Sequence, residues 1–180
     1  DFVAPKSSEK KDYVAGFTVS AGLGEAENML KAYEEEGDEY TALLMKSVLD
    51  RLAEATTEWL HARIRKDYWG FAADESISVN EMFALKYQGI RPAVGYPSIP
   101  DQSVNFLLND NLLQSSEIGV RLTENGVMYP NAAVSGIIIS HPQSKYFTIG
   151  NINQEQAKVY TAHRGIDPEQ MRKFLAANLI

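Results

Sequence analysis

The strongest periodic segment of the chain runs from Glu39 to Tyr68. Tyr40, Leu44, Val48, Leu52, Ala55 and Trp59 recur there at intervals of four and three, which puts them on one face of a helix. Leu49, Leu60 and Ile64 widen that face. Arg63, Arg65 and Lys66 suit the negative end of the helix dipole, and Gly70 ends the pattern. The spacing predicts one long amphipathic helix with this face turned to the core, and the other elements must pack around it.

Those elements are shorter. Residues 1–11 close on the polar run Lys6-Ser7-Ser8-Glu9-Lys10-Lys11 and read as a loop. Tyr13–Ser20 is rich in β-branched and aromatic residues and predicts a strand. Glu25–Glu36 predicts a short acidic helix stopped by Gly37. Ser78-Val79-Asn80-Glu81 fits a capping box opening a helix to about Tyr87. From Gln88 to Pro100, Pro92, Pro97 and Pro100 fall among Gly89 and Gly95 and forbid regular structure. A short helix over Gln102–Asn109 follows, then strands at Gly119–Leu122, Val127–Tyr129, Val134–Ser140 and Lys145–Ile152. The last two flank His141-Pro142-Gln143-Ser144, a good hairpin turn. Gln154–His163 and a segment opened by Asp167-Pro168-Glu169 predict two closing helices. Runs of each type without strict alternation give a single α+β domain with a mainly antiparallel twisted sheet.

Composition excludes several classes. The 180 residues carry a net charge of −7, which argues against nucleic-acid binding. There is no cysteine, so a disulfide framework, a Cys-based zinc site and a cysteine nucleophile are excluded. No apolar run approaches the roughly 18 residues of a membrane span. The N-terminus, Asp1-Phe2-Val3-Ala4-Pro5, has neither a signal peptide's basic start nor an initiator Met. A cytoplasmic piece of a longer chain is expected.

Walker, GxGxxG, GxSxG and HExxH signatures are absent. Gly22-Leu23-Gly24 is too short for a nucleotide loop. His61, His141 and His163 fit no metal spacing and read as structural, with His61 on the long helix's flank. The Arg91–Pro100 loop is the main binding candidate. Gly95 admits close approach to the main chain, and Tyr96 offers a ring and a hydroxyl. Arg91 can hold a carboxylate bidentately; in the plainer reading it pairs with a helix carboxylate. On a strand, Tyr146 and Phe147 point to opposite faces. Glu54 lies off the apolar face in line with Ser47, His61 and Arg65, and alone reads as a solvated Glu.

Gly89-Ile90-Arg91-Pro92-Ala93-Val94-Gly95-Tyr96-Pro97 closely resembles the RPAxGYP loop of the activation domain of cobalamin-dependent methionine synthase. Arg51–Ala55, Leu60–Arg63, Tyr68–Gly70, Val134–Gly136, Ser140–Tyr146, Asp1–Pro5 and Leu175–Leu179 also resemble family segments, in order along nearly the whole chain. The resemblance implies an S-adenosylmethionine-binding module that reactivates oxidised cobalamin. Its partners would be the cobalamin-binding domain of the same parent chain and a flavodoxin-type electron donor, with no nucleic acid, membrane or metal. The family's ligand contacts fall here on Arg91, Ala93, Gly95, Tyr96, Tyr146, Phe147 and Glu54, and no residue is expected to be catalytic. The chain is expected to be the C-terminal portion of the domain, one acidic ligand contact lying further upstream in the family.

Three positions depart from the family pattern: Leu85 stands where a Glu is commoner, Gln102 where a His is, and Phe147 where Tyr is frequent. Two other readings compete. One is a docking module for flavodoxin and the cobalamin domain without ligand binding. The other is a stand-alone S-adenosylmethionine-binding regulator.

Overall fold

The computed structural model describes residues 2–180; Asp1 lies outside the described residues. Strand β1 (Ala15–Ser20) is followed by helices α1 (Glu25–Glu35), α2 (Glu39–Arg63), α3 (Val79–Phe83) and α4 (Val104–Leu108). Strands β2 (Arg121–Leu122), β3 (Met128–Tyr129) and β4 (Ala133–Ile138) come next, then α5 (Gln154–Arg164) and α6 (Pro168–Phe174). The α+β class is as expected, but the sheet is small. It consists of two antiparallel pairs, β1 with β4 and β2 with β3.

Local chemistry sets the helix starts. Asp38 accepts from the Thr41 N–H, and Ser78 with Glu81 and Asn153 with Gln156 form capping boxes. Asp167 caps α6, with Pro at its first turn. The long helix continues through a π-turn over Ile64–Tyr68 before Gly70. α3 is shorter than the sequence suggests, because Leu85 takes a left-handed φ of 56° that no helix continues.

The buried face of α2 is not the one that periodicity selects. Ala42, Leu49, Ala53, Thr57 and His61 are buried, while Tyr40, Leu44, Val48, Leu52 and Trp59 are each at least half exposed. Small Ala53 and Thr57 let the helix lie close to the β1–β4 pair, and Thr57 returns its hydroxyl to the Ala53 carbonyl at 2.8 Å. Close approach of small residues outweighs the bulk on the other side. His61 therefore sits in the core, not on the flank. The main core joins Phe17, Val19, Ala93 and Ile138, with Leu60, Ile64, Trp69 and Phe71 packed against them. A second cluster, Met171, Phe174 and Leu175, anchors α6.

The expected strand over Lys145–Ile152 does not form, although the turn before it does, with the Ser144 N–H on the His141 carbonyl at 3.0 Å. The cause is competition for the edge of β4. Ile90 and Ile139 exchange both backbone hydrogen bonds at 2.9 Å, Ile137 N–H reaches Pro92 O at 3.1 Å, and Val94 N–H reaches Ser135 O at 2.9 Å. The proline loop thus lies where the hairpin partner would. Pro92 lacks the N–H a regular ladder needs, so the loop pairs only in places. The returning segment then leans on the loop, with Ile149 N–H on Pro97 O at 3.0 Å.

Candidate functional site

A cavity of about 430 Å³ opens between α2, the loop and residues 146–148. This size is within the usual range for small-molecule sites. Glu54, Arg91, Ala93, Tyr96, Tyr146 and Phe147 all line it. Residues 37 or more positions apart in sequence thus converge on one space. Gly95, the seventh expected residue, is not on its wall. Its φ is +87°, its N–H bonds the Ile99 carbonyl at 2.8 Å, and the side chain of Gln102 fills the space a Cβ would take. It shapes the turn that presents Tyr96, and Gln102 buttresses that turn.

Arg91 is fixed at both ends. Its N–H donates to the Tyr146 hydroxyl at 3.1 Å, and its Nη2 to Glu58 Oε2 at 2.5 Å. Burial acts to lower the guanidinium's pKa, but the hydrogen bond and charge of Glu58, with smaller contributions from Tyr146 and Tyr87, together outweigh it and hold the pKa above its ordinary value. The helix-carboxylate pairing weighed from the sequence is therefore present. It uses one nitrogen only. Nη1 has no hydrogen bond among the described residues and is not among the fully buried atoms, so it keeps access to a ligand.

The aromatic wall differs from the strand picture. Residues 145–151 form no strand, and Tyr146 and Phe147 both face the cavity. Ser98 Oγ donates to the Phe147 carbonyl and ties the segment to the loop. The Tyr146 hydroxyl also lies 3.5 Å from that of Tyr87, whose pKa burial and this contact push up. Glu54 forms a surface pair with Arg51 at 2.8 Å. Such exposed pairs are weak, so its carboxylate is available to the cavity. Leu85 lines the wall at the position where the family more often has a Glu. Sequence reasoning missed Glu58, Tyr87 and Ser98. Glu58 was findable, since it lies one helical turn beyond Glu54 on the same side.

Behind the cavity His61 is 1% exposed and packs edge-on to the Tyr87 ring, centroids 5.0 Å apart. Burial first, then the guanidinium groups of Arg65 and Arg91, lower its pKa to about 3. The unfolded chain binds that proton near the usual value of about 6.5, so acid favours unfolding between the two. Stability from His61 is complete above about pH 6.5 and falls as the pH drops toward 3. Urea unfolding should show a loss of about 2 kcal/mol between pH 7 and pH 5 from this group. His61→Asn, which removes the titrating ring, should show a smaller drop.

The charged residues lining the cavity are Glu54 and Arg91, against four aromatic rings, Tyr87, Tyr96, Tyr146 and Phe147. This suits a ligand with an anionic group, a cationic centre and an apolar or aromatic body. Among the described residues no cluster of three or more His, Cys, Asp or Glu could hold a metal. No helix among them is long and apolar enough to cross a membrane. A larger groove of about 1160 Å³ lies between α5 and α6 and is mostly apolar.

Fold and cavity together define a small α+β domain with a site of small-molecule size lined by one arginine, one glutamate and four aromatic rings. The chain belongs to the family of the vitamin B12-dependent methionine synthase activation domain, which it matches over residues 1–165. It is similar to a solved MetH reactivation domain bound to AdoHcy, at 42% identity and a TM-score of 0.91. That match covers 99% of this chain and 55% of the other, so the chain spans about half the length of that relative.

Proposed function

We propose that this chain is the C-terminal portion of an activation domain and binds S-adenosylmethionine in the cavity between α2, the loop and residues 146–148. In this reading it supports the reductive remethylation of cobalamin in a methionine synthase that methylates homocysteine from methyltetrahydrofolate. The observation that carries it is the convergence of Glu54, Arg91, Ala93, Tyr96, Tyr146 and Phe147 on one cavity. The solved relative's ligand, AdoHcy, adds support.

The residues present fit such a ligand. The accessible Nη1 of Arg91 takes the carboxylate, while Tyr146 pins the arginine's backbone. The rings of Tyr96 and Phe147 flank the adenosyl body and the sulfonium, and Glu54 supplies the countercharge. Gly95 and Ser98 hold the loop in the shape that presents these groups. S-adenosylmethionine supplies an electrophilic methyl group. The chain's part is positioning, which alone removes a large share of a barrier; none of its residues need exchange a proton. Cobalamin would be held by another domain of the parent enzyme, with a flavodoxin-type donor as electron source.

Calorimetric titration with S-adenosylmethionine tests this. One saturable site per chain is expected; a folded chain giving no binding heat at millimolar ligand contradicts it. The docking reading draws on one observation, the exposed apolar side of α2. It requires capture of a flavodoxin or cobalamin domain by a chain that gives no ligand heat.

A further inference from the structure

We propose that Glu58 is the positioning residue of this site, holding the Arg91 guanidinium so that Nη1 stays presented to the ligand's carboxylate. The inference rests on the S-adenosylmethionine reading above. Glu58 is not on the cavity wall. It stands behind Arg91, the two side chains being 16% and 22% exposed.

The pairing is unusual as a stabilising contact. An Arg–carboxylate pair gains most from two parallel hydrogen bonds. Here one bond forms, and both Glu58 Oε1 and Arg91 Nε are buried without a partner. Such orphans cost stability, and a half-satisfied buried pair is weak as a structural device. What the contact achieves is orientation. Tyr146 fixes the arginine's main chain, Glu58 fixes Nη2, and the only unbonded nitrogen with solvent access is Nη1.

The surroundings leave Glu58 no other partner. Arg65, in the π-turn that continues α2, is taken by Glu75 through three hydrogen bonds of 2.7–3.1 Å. It also lies over the Tyr87 ring at 4.3 Å. His61, between them, is neutral at ordinary pH and neither competes for Glu58 nor repels Arg91. Glu75 thus reserves Glu58 for Arg91. A Gln at position 58 keeps an acceptor at the same reach, whereas Ala removes it and Asp withdraws it by one methylene.

Titration of the chain and its variants with S-adenosylmethionine, and with its decarboxylated form, tests this. Glu58→Ala should weaken S-adenosylmethionine by about tenfold or more, the scale of one charge-assisted hydrogen bond. It should leave the decarboxylated ligand within about twofold of the parent, because only the carboxylate depends on Arg91. Glu58→Gln should stay within about threefold for both ligands, since the acceptor is retained. In an Arg91→Ala background, Glu58→Ala should add nothing. If Glu58→Ala does not fold, Glu58→Asp carries the same expectation. Equal weakening of both ligands, or unchanged affinity for S-adenosylmethionine, overturns the assignment. A folded parent chain that binds neither ligand overturns the ligand reading itself, and this inference with it.

Discussion

Replacing Arg91 with alanine should lower the affinity for S-adenosylmethionine about 30- to 100-fold, the largest loss expected from any side chain lining the cavity. A charge-assisted hydrogen bond is worth roughly 1.5–3 kcal/mol, and each 1.4 kcal/mol is tenfold in affinity. The substitution has a second consequence. It leaves the Glu58 carboxylate, 16% exposed, facing the core without its cation. Removing one partner of a buried pair costs about 3–5 kcal/mol; with this residual exposure about 2 kcal/mol of stability is expected. Arg91→Lys separates the effects. It restores the charge but supplies a point donor that cannot serve Glu58 and a ligand carboxylate together. Stability should largely recover while affinity stays low. Calorimetry and urea unfolding on the same samples read both quantities. Unchanged affinity in Arg91→Ala removes Arg91 from the site.

Gly136→Ala should cost about 3 kcal/mol of stability and weaken ligand binding with it. A Cβ at Gly136 would lie 2.3 Å from Pro92 O, 2.8 Å from Ala93 Cα and 3.0 Å from the Phe17 ring. Two of those atoms are backbone and the third belongs to a buried core ring, so none can step aside cheaply. The bond from Ile137 N–H to Pro92 O, 3.1 Å long, runs through the same spot. The loop must lift off β4, and Arg91 and Ala93 move with it. Gly150→Ala is the control. Nothing lies within 4 Å of its Cβ position, and only its φ of +69° resists substitution, at about 1 kcal/mol. Urea unfolding of the two variants compares them. A Gly136→Ala chain within about 1 kcal/mol of the parent contradicts the close packing of loop on strand.

The elements that local chemistry controls were legible in the sequence. Capping residues at Ser78, Asn153 and Asp167 mark true helix starts. The prolines between Gln88 and Pro100 mark a segment without regular structure. What failed depended on tertiary competition. Periodicity on α2 could not tell that small Ala53 and Thr57 would face the sheet while Leu44, Val48 and Leu52 stayed outside. Turn chemistry at His141–Ser144 could not reveal that Ile90–Val94 would take the edge of β4 first. The residues proposed to bind the ligand come from the resemblance of the loop to a family. Residues alone left Glu54 a solvated carboxylate and Arg91 ambiguous, and the fold brings both to one cavity wall. Glu58 carried no family signal in that reading, and its part depends on how α2 lies against the loop.

The most direct test of the central claim is to map amide chemical shifts by NMR while the ¹⁵N-labelled chain is titrated with S-adenosylhomocysteine, whose adenosyl and carboxylate groups match those of the proposed ligand. The account predicts saturable shifts concentrated at Arg91, Ala93, Tyr96 and Tyr146–Thr148, with Glu54 and Thr57 following. Shifts confined to the α5–α6 groove, around Met171 and Leu175, would place the ligand in the larger cavity and contradict it.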